Sequence, residues 1–386
     1  MNDKKINTVV VIVNWNGKKL LPVCLSSLLE QTYEGFKIIL VDNGSVDGSV
    51  KYVKQNFPEV QVVELSENTG FAQGNNIGIS VALQGENVEN VVLLNNDTRV
   101  ESDFLEKLVE ATDDKLFLNK KIGALAPKMF LWQKGDFNFT SKVDEKNKLI
   151  DAVGAKVGLD GRGYNIGHGE IDLGQYDEKQ EVFGFCGGAV LLRRDALEDI
   201  AGIENNSIKT PSVLLQKGGG HREYFDESFF AYYEDADLSW RMRLRGWKIF
   251  TVPEAVVWHL HSATVDTVKS KTFKAYYLNR NRFFMMLKNF PGKLLWSGLK
   301  LVPKSYFKNE NNGDGDKNED EIVNNGNEKV KSKTKSDIKI ARKVIMVWVM
   351  TKVGWSLFFN SWRLWRKRRY IQRRRIADLA KLKKWF

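Results

Sequence analysis

The sequence predicts an α/β fold with a mostly parallel central sheet. Up to about residue 111, four short apolar runs alternate with four segments of helical periodicity, in units of about 25 to 30 residues. The fourth run, Val91 to Leu94, is continuously apolar, which is typical of a strand buried on both faces. It stops at Asn95-Asn96-Asp97. Ligands of open α/β sheets bind beyond such strand ends, so this stretch predicts a binding site.

The elements of this first part follow from the local pattern. Runs rich in β-branched residues predict strands, and apolar residues spaced three and four apart predict helices. The predicted strands are Thr8 to Val13, Phe36 to Val41, Val60 to Leu65 and the run before Asn95. The predicted helices are Lys19 to Glu30, a segment ending near Asn56, a segment through Ile77 and Val81, and about Ser102 to Ala111.

After Pro127 the regular alternation ends. Residues 129–183, rich in glycine, aspartate and aromatic residues, indicate an insertion with hairpins on the substrate side. Further along, the patterns predict strands at 183–192 and 249–258, helices at 229–247 and 272–302, and a flexible loop at 204–222. We therefore expect an α/β half at 1–127, a second half of the same domain at 128–270, a helical segment at 271–307, a disordered linker at 308–337 and a basic aromatic amphipathic helix at 338–386.

The net charge of +11 is concentrated at the C-terminus. From Lys339 to Phe386 there are 15 lysines and arginines and one acid, Asp378, and the remainder carries a net charge of −3. This distribution argues against nucleic acid as the partner of the body and favours an anionic surface as the partner of the tail. Cys24 and Cys186 form no metal or redox spacing, and the first residues form no signal peptide, so we expect a cytoplasmic body.

Four predicted strand ends carry amides or carboxylates. They are Asn14–Asn16, Asp42–Ser45, Asn68–Gly70 and Asn95–Asp97. Because such ends lie side by side in a parallel sheet, they predict a nucleotide pocket in which Asp42 accepts hydrogen bonds from a base or ribose. Asp97 is suited to a divalent cation, since Mg²⁺ binds through one or two carboxylates and substrate phosphates. The alternative for Asn96-Asp97 is a simple turn before a helix that Ser102 caps.

The glycines of GFAQGNNIG do not form the dinucleotide fingerprint. Gly70, Gly74 and Gly78 lie four apart, whereas the fingerprint needs G-x-G-x-x-G directly after the first strand. The first strand here is followed by NWNG. A dehydrogenase is therefore disfavoured.

An acidic cluster opens the segment YYEDADLSWRMRLRGW. Glu234, Asp235 and Asp237 occupy a predicted helix N-terminus, behind a run of aromatic residues, and Asp237 is spaced to pair with Arg241. An acidic site with aromatic walls suits a sugar and a general base, although the same pattern also fits an acidic first turn without chemistry. His259 ends the apolar strand AVVWHLH and is either structural or, within reach of Asp97, a metal ligand.

Six motifs in order resemble glycosyltransferase family 2, in particular its rhamnosyltransferase-like branch acting on bacterial cell-surface polysaccharide. They are VVIVNWNG, LVDNGSVDGS, ENTGFAQGNNIGI, VLLNNDT, FFAYYEDADLSWRMRLRGW and VPEAVVWHLHSATV, within residues 8–290. The resemblance implies a GT-A fold and an inverting transfer from a nucleoside-diphosphate sugar. Its D-x-D motif corresponds to Asn95-Asn96-Asp97, where the first acid is replaced by asparagine.

The resemblance also implies roles for individual residues. Asp235 is the expected catalytic base, with Glu234 beside it, and Asp97 and His259 are the expected ligands of Mg²⁺ or Mn²⁺. Candidate contacts to a dTDP- or UDP-sugar are Asn14, Asn16, Asp42, Asn43, Asn68, Gly70, Asn75, Asn96 and Asp97. Candidate contacts to a glycan or lipid-linked acceptor are Tyr233, Trp240 and, within GRGYNIGHGEIDLGQYD, Arg162.

The tail combines helical pattern, aromatic residues and positive charge. Ile345 to Trp362 is apolar but contains Lys352 and is shorter than the roughly 20 residues of a membrane span. We therefore expect a helix lying on anionic lipid at the inner face of the membrane. The alternatives are a single membrane span, a partner-docking helix and an RNA-binding arm. For the whole chain, the alternatives to sugar transfer are a nucleotidyltransferase and a non-catalytic nucleotide-sugar-binding or scaffold protein.

Overall fold

The computed structural model describes residues 6–115, 120–132, 148–202, 222–260, 268–308 and 335–386. The strands are β1 Thr8–Asn14, β2 Phe36–Asp42, β3 Gln61–Glu64, β4 Asn90–Asn95, β5 Thr98–Val100, β6 Ile122–Leu131, β7 Ile150–Ala152, β8 Ala155–Val157, β9 Gly163–Asn165, β10 Glu181–Val182, β11 Ala189–Arg193 and β12 Lys248–His259. The helices are α1 Leu21–Leu29, α2 Ser49–Asn56, α3 Phe71–Ala82, α4 Phe104–Glu110, α5 Arg194–Ile200, α6 Glu234–Leu244, α7 Val268–Asn289, α8 Gly292–Lys308, α9 Lys335–Arg373 and α10 Leu379–Lys383.

The chain folds as two compact units. The first comprises Met1–Val157, Gly163–Val265 and Arg373–Trp385. The second comprises Gly158–Arg162, Asp266–Gln372 and Phe386. The predicted loop at 204–222 and linker at 308–337 fall almost wholly outside the described residues, as do residues 133–147 of the predicted insertion at 129–183.

The first unit contains a mixed sheet in the order β10-β12-β6-β11-β4-β1-β2-β3, with β5 beside β12 and β7 beside β6. Strands β3, β2, β1 and β4 are mutually parallel, as the four βα repeats predict, and β6 is parallel to β12. Strand β11 joins these two parallel sets and is antiparallel to both of its neighbours. The prediction of an α/β fold with a mainly parallel central sheet flanked by helices is therefore confirmed.

The register of the parallel strands brings their polar ends together. Asn14 of β1 pairs with Asp42 of β2, and Val13 pairs with Asn95 of β4. Buried valine, isoleucine and leucine side chains fill both faces of β1 and β4 up to that edge. The apolar core therefore ends where the amides and carboxylates begin, which is the edge that the sequence predicts as a binding site.

Helix α3 packs closely on β1 because glycines face the strand. A methyl group added at Gly78 would lie 2.2 Å from Val11 Cγ1, and one at Gly74 would lie 2.9 Å from Val13 Cγ1. Close helix–sheet packing thus explains two of the regularly spaced glycines that the dinucleotide fingerprint does not explain.

We expect Gly78→Ala to lower the free energy of unfolding by about 1–3 kcal/mol, because the added methyl overpacks the α3–β1 contact. Urea titration at neutral pH measures the change. Gly354→Ala is the matched control, since Gly354 lies inside α9 with nothing within 4 Å of an added methyl, and its effect should stay within about 1 kcal/mol. Equal free energies of unfolding for Gly78→Ala and the wild-type protein would contradict the packing argument.

The predicted strand at 183–192 is wrong over its first part. Strand β11 begins only at Ala189, and Gly187 and Gly188 form a turn before it. The apolar run Phe183–Phe185 is buried, but it packs as loop and bridge structure rather than as a continuous strand. The predicted strand at 249–258 is present as β12, and its pairing with β6 shifts register between Val252 and Val256, where Pro253 interrupts the ladder.

The C-terminal segment departs from the single helix expected over Ile338 to Phe386. Helix α9 ends at Arg373, and residues 373–385 pack into the first unit. The backbone N–H groups of Ile376 and Ala377 donate to the carbonyl of Leu244 at the end of α6, at 2.9 and 3.1 Å. Trp385 packs on Phe183, with ring centroids 6.0 Å apart. The last residues therefore cap and cover the C-terminal end of α6.

Among the described helices none is long and apolar enough to cross a membrane.

Candidate active site

Asp42 organises the first two loops of the sheet edge. Its Oδ1 accepts a hydrogen bond from Asn14 Nδ2 at 3.0 Å, and its Oδ2 accepts one from the backbone N–H of Ser45 at 2.9 Å. Asn14 Oδ1 in turn accepts from Asn96 Nδ2 at 2.8 Å. Asn14 and Asp42 are buried, whereas Asn16 is exposed and has a left-handed backbone with a φ of 51°. These hydrogen bonds fix the loops after β1, β2 and β4 relative to one another.

Asn43 performs the same role for the loop after β3. Its Nδ2 donates to Asn68 Oδ1 at 3.2 Å and to the carbonyl of Gly70 at 3.0 Å, and its Oδ1 accepts from the backbone N–H of Thr69 at 2.9 Å. Asn75 is also buried and donates to the carbonyl of Phe71 within α3. The side chains of Asn43 and Asn75 therefore form hydrogen bonds within the protein itself, and these bonds hold the loop and the helix in place.

Gly70 connects this loop with the residues that precede α6. A side chain at Gly70 would lie 2.5 Å from the Phe230 ring, and Gly70 has a φ of 90°. Phe230, Tyr232 and Tyr233 have φ values of 64°, 69° and 70°, a region that bulky residues rarely adopt. Neighbouring residues must hold the backbone before the acidic cluster in this left-handed conformation. Backbone strain of this kind is concentrated at functional sites.

His259 lies between two carboxylates. Its Nδ1 is 2.7 Å from Asp151 Oδ2, and its Nε2 is 3.2 Å from Asp97 Oδ1. Asp151 is fully buried on β7 and also contacts His168 Nδ1 at 3.1 Å. Burial by itself would lower the pKa of His259, but Asp97 and Asp151 outweigh it and raise the pKa to about 10. The imidazole is therefore protonated at neutral pH in this arrangement and donates to both acids.

Glu234 and Asp235 begin α6, and their environments differ. Asp235 Oδ2 accepts from the backbone N–H of Gly187 at 3.0 Å, and its Oδ1 accepts from the N–H of Ala236 at 2.7 Å. Glu234 is buried, and its Oε2 has no hydrogen-bond partner within the described ranges. Burial raises the pKa of both groups, while the N–H groups of Gly187 and Ala236 partly offset it for Asp235. Asp235 is therefore the better placed of the two to carry the negative charge.

Burial and the charge of Asp235 raise the pKa of Glu234 from 4.5 to about 8. Between about pH 4.5 and pH 8 this carboxyl group is ionised in the unfolded chain but protonated in the folded protein. The stability that Glu234 contributes is therefore complete at acidic pH and is lost as the pH rises through this range. We expect Glu234→Gln to gain stability relative to the wild-type protein over this range, by up to about 1.4 kcal/mol per pH unit. Urea unfolding from pH 5 to pH 8 measures the difference. Glu86→Gln, at an exposed residue, should show none, and a pH-independent difference for Glu234→Gln would contradict the buried, protonated acid.

The turn Gly187-Gly188 joins the two clusters. Gly187 donates its N–H to Asp235, while a methyl group at Gly188 would lie 3.6 Å from His259 Cε1 and 3.7 Å from Asn95 Nδ2. Consecutive peptides thus contact the acidic end of α6 on one side and the end of β4 with His259 on the other. Within the first unit, Asp235 and the Asp97–His259 pair border the same turn.

The predicted acceptor residues have different surroundings. Tyr233 lies at the entry to α6, and its hydroxyl accepts from the backbone N–H of Gly163 at 3.3 Å. The prediction that Trp240 contacts the acceptor is wrong: Trp240 is fully buried and packs on Phe183, with centroids 5.1 Å apart, because this side of α6 faces the core. Arg162 belongs to the second unit and forms an ion pair with Asp160 at 3.6 Å.

The side-chain oxygen and nitrogen atoms at His259 and Asp97 suit a divalent cation that binds together with a substrate. Asp97 supplies a carboxylate oxygen and His259 an imidazole nitrogen, and Asp151 orients the imidazole from behind, as is typical of metal-bound histidines. In the described part of the chain no group of three or more His, Cys, Asp or Glu side chains forms a complete metal centre. A cation here would need further ligands such as diphosphate oxygens and would have to replace the proton on Nε2.

The fold and this cluster of side chains are those of an α/β protein with polar residues gathered beyond the carboxyl ends of parallel strands, the usual place for a ligand in such sheets. Residues 9–118 match the family described as glycosyl transferase family 2. The glycosyltransferase GlyG of Streptococcus pneumoniae serotype 4 is 34% identical over 110 residues, which cover 28% of this chain and 35% of that protein.

Two further similarities extend over more of the chain. The N-acetylglucosaminyl-diphospho-decaprenol L-rhamnosyltransferase of Mycobacterium tuberculosis is 24% identical over 262 residues, covering 65% of this chain and 75% of that protein. The mannosyltransferase PcManGT from Pyrobaculum calidifontis, in complex with GDP-Man and Mn²⁺, superposes with a TM-score of 0.45 at 14% identity, covering 96% of this chain and 86% of that one. The chain thus spans about a third of the length of GlyG and three quarters of the length of the rhamnosyltransferase.

Proposed function

We propose that the protein is an inverting glycosyltransferase that moves a sugar from a nucleoside-diphosphate sugar to a hydroxyl group of a glycan or lipid-linked acceptor. The family match over residues 9–118 supports the reaction class. The observation that carries the proposal is the Gly187-Gly188 turn, which borders both Asp235 and the Asp97–His259 pair. With two carboxylates beside one turn, one can accept the proton of the acceptor hydroxyl while the other helps to hold the leaving diphosphate.

Asp235 is the proposed general base. An acceptor hydroxyl is a weak nucleophile until a base removes its proton. Asp235 is held by two backbone N–H groups, and burial raises its pKa above the ordinary aspartate value, which makes it a stronger base. Because Glu234 is protonated at neutral pH, it places no second negative charge beside this carboxylate. Tyr233, at the entry to α6, is the proposed acceptor-side aromatic residue.

Asp97 and His259 are proposed to hold the diphosphate side of the donor. A divalent cation at this pair, Mg²⁺ or Mn²⁺, would neutralise the charge that develops on the leaving diphosphate. Asp151 positions His259, and Asn96 ties the same loop to Asn14. Asp42, with Asn16, Asn68 and Gly70 around it, is proposed to receive the base and ribose of the donor. Attack from the side opposite the diphosphate inverts the anomeric carbon.

The relatives suggest an acceptor class. The Mycobacterium tuberculosis relative is an N-acetylglucosaminyl-diphospho-decaprenol L-rhamnosyltransferase, a name that describes a lipid-diphosphate-linked N-acetylglucosamine acceptor. We propose the same chemical class here, a sugar linked through diphosphate to a long lipid, with a dTDP- or UDP-sugar as donor. An enzyme acting on such a lipid would work at the cytoplasmic face of the membrane.

The experiment is a panel of nucleotide sugars tested with the purified full-length chain. We expect one donor, such as a dTDP- or UDP-sugar, to release its nucleoside diphosphate, faster with a lipid-diphosphate-linked acceptor and more slowly after EDTA. NMR of the product should show inversion at the anomeric carbon. Tight donor binding without release would instead indicate a non-catalytic nucleotide-sugar-binding protein, and pyrophosphate formation from a nucleoside triphosphate would indicate a nucleotidyltransferase.

A further inference from the structure

One face of α9 is covered with exposed aromatic side chains. We call this set the aromatic face: Trp348, Trp355, Phe358, Phe359, Trp362 and Trp365, whose exposed fractions range from 47% to 75%. Their spacings of three, four and seven residues put them on one side of a helix. Val349, Val353 and Leu364 are buried and lie on the opposite side. The helix therefore packs within the second unit through a few aliphatic residues and leaves its aromatic side outward.

The aromatic face is ordered by contacts among its own rings. Trp355 stacks on Phe359 with an interplanar angle of 21°, and Trp362 stacks on Trp365 with an angle of 20°. Phe358 meets Trp355 edge-on at 6.4 Å. The exposed rings thus form two contacting groups, with Trp348 before them, and extend along about five helical turns, which exceeds the scattered exposed residues of ordinary soluble surfaces.

Cations border the aromatic face. Lys352 Nζ lies 3.8 Å from the ring centroid of Trp348, and Arg369 Cζ lies 5.3 Å from that of Trp365. Arg366 is exposed immediately beyond the aromatic face, and the sequence from Ile338 to Ala377 contains no aspartate or glutamate. The charged residues of α9 that border the aromatic face are therefore all positive.

We propose that the aromatic face of α9 docks on the surface of an anionic lipid bilayer, with its rings at headgroup depth and its cations on lipid phosphates. Tryptophan is enriched at this depth because its ring is apolar and its N–H is polar. A helix with aromatic residues on one face and lysine and arginine around them is typical of interfacial binding. A second copy of the chain is a poorer occupant, since two faces bordered only by cations repel each other.

The test uses substitutions, because deletion of the tail would also remove residues 373–385 from the first unit. The variants are Trp355→Ser/Phe359→Ser/Trp362→Ser and Arg366→Gln/Arg369→Gln. The matched control is Ile171→Ser/Leu173→Ser, which removes exposed apolar side chains from the first unit. Co-sedimentation is measured with vesicles of phosphatidylcholine alone and with added phosphatidylglycerol. Far-UV circular dichroism and the thermal midpoint verify that every variant folds.

We expect the wild-type chain and the control to bind vesicles that contain phosphatidylglycerol, and to bind phosphatidylcholine weakly. The aromatic variant should lose at least about tenfold in affinity, and the arginine variant about fivefold per charge removed at low salt. Asp235→Asn should bind vesicles like the wild-type chain, so a failure of sugar transfer is separable from a failure of docking. Equal binding by the folded aromatic variant and the wild-type chain would overturn the proposal. The proposal would also be overturned if the wild-type chain did not bind anionic vesicles but formed dimers, and if the aromatic substitutions abolished those dimers.

Discussion

Asp235→Asn is expected to lower kcat for sugar transfer by about 10²–10⁴-fold, while donor affinity remains within about threefold of the wild-type value. The amide cannot take the proton of the acceptor hydroxyl, so the base contribution to the rate is lost. The carboxylate is half-buried and is held by Gly187 and Ala236, and an amide of nearly the same shape can keep at least the Gly187 contact through its oxygen. The loss should therefore appear in kcat and leave donor binding intact.

The measurement compares nucleoside diphosphate release with and without acceptor, and donor titration by calorimetry. Asp195→Asn is the matched control, because Asp195 is an exposed carboxylate in the first turn of α5 in the same unit. It should retain wild-type kcat. A retained kcat in Asp235→Asn, in a protein with a normal thermal midpoint, would remove Asp235 from the role of base and direct attention to Glu234.

The sequence predicts the parallel part of the sheet well because the determining signals are local. Each strand of β1 to β4 is an apolar run of a few residues, and each polar end follows directly in the chain, so the adjacency of Asn14 and Asp42 follows from sheet geometry alone. Asp237 likewise pairs with Arg241 at 3.0 Å, as their i,i+4 spacing predicts. Pro253 marks the shift of register in β12.

The features that the sequence does not predict depend on distant contacts. Asp151 contacts His259 from 108 residues away, and a single aspartate between apolar residues gives little sign of such a partner. Trp240 belongs to an acidic and aromatic motif, yet α6 turns it into the core. The turn at Gly187-Gly188 interrupts a run whose composition favours a strand. Only the position of Asp235, which accepts the N–H of Gly187, shows why a glycine pair lies there.

The end of the tail is a similar case. Its basic composition predicts one amphipathic helix up to Phe386, but Arg374, Ile376 and Trp385 have specific partners in the first unit. Arg374 Nη2 donates to the carbonyl of Asp199 at 2.7 Å. Composition and periodicity describe a helix and its charge, whereas the residue at which the helix ends depends on which carbonyls and rings of another part of the fold are available.

Asp97→Ala is expected to abolish the increase in nucleotide affinity that Mn²⁺ or Mg²⁺ produces, by about tenfold or more, and to leave the metal-free affinity for the nucleoside diphosphate nearly unchanged. Asp97 is the carboxylate of the proposed pair, and His259 alone is a poor site for Mg²⁺, which prefers oxygen ligands. The base and ribose would still bind at Asp42, whose hydrogen bonds to Asn14 and Ser45 do not involve Asp97.

Calorimetric titration of the nucleoside diphosphate in Mn²⁺ and in EDTA separates these two terms. Asp113→Ala, at an exposed carboxylate in the segment after α4, is the control and should keep the full effect of the metal. Asp151→Asn should give an intermediate loss, because His259 remains in place but loses the carboxylate that orients its ring. A graded order, with Asp97→Ala most affected and Asp151→Asn less so, is expected of a ligand and its supporting residue. If Mn²⁺ raises the affinity equally in all three variants, the Asp97–His259–Asp151 arrangement is a structural ion-pair network, and the diphosphate is held by other residues.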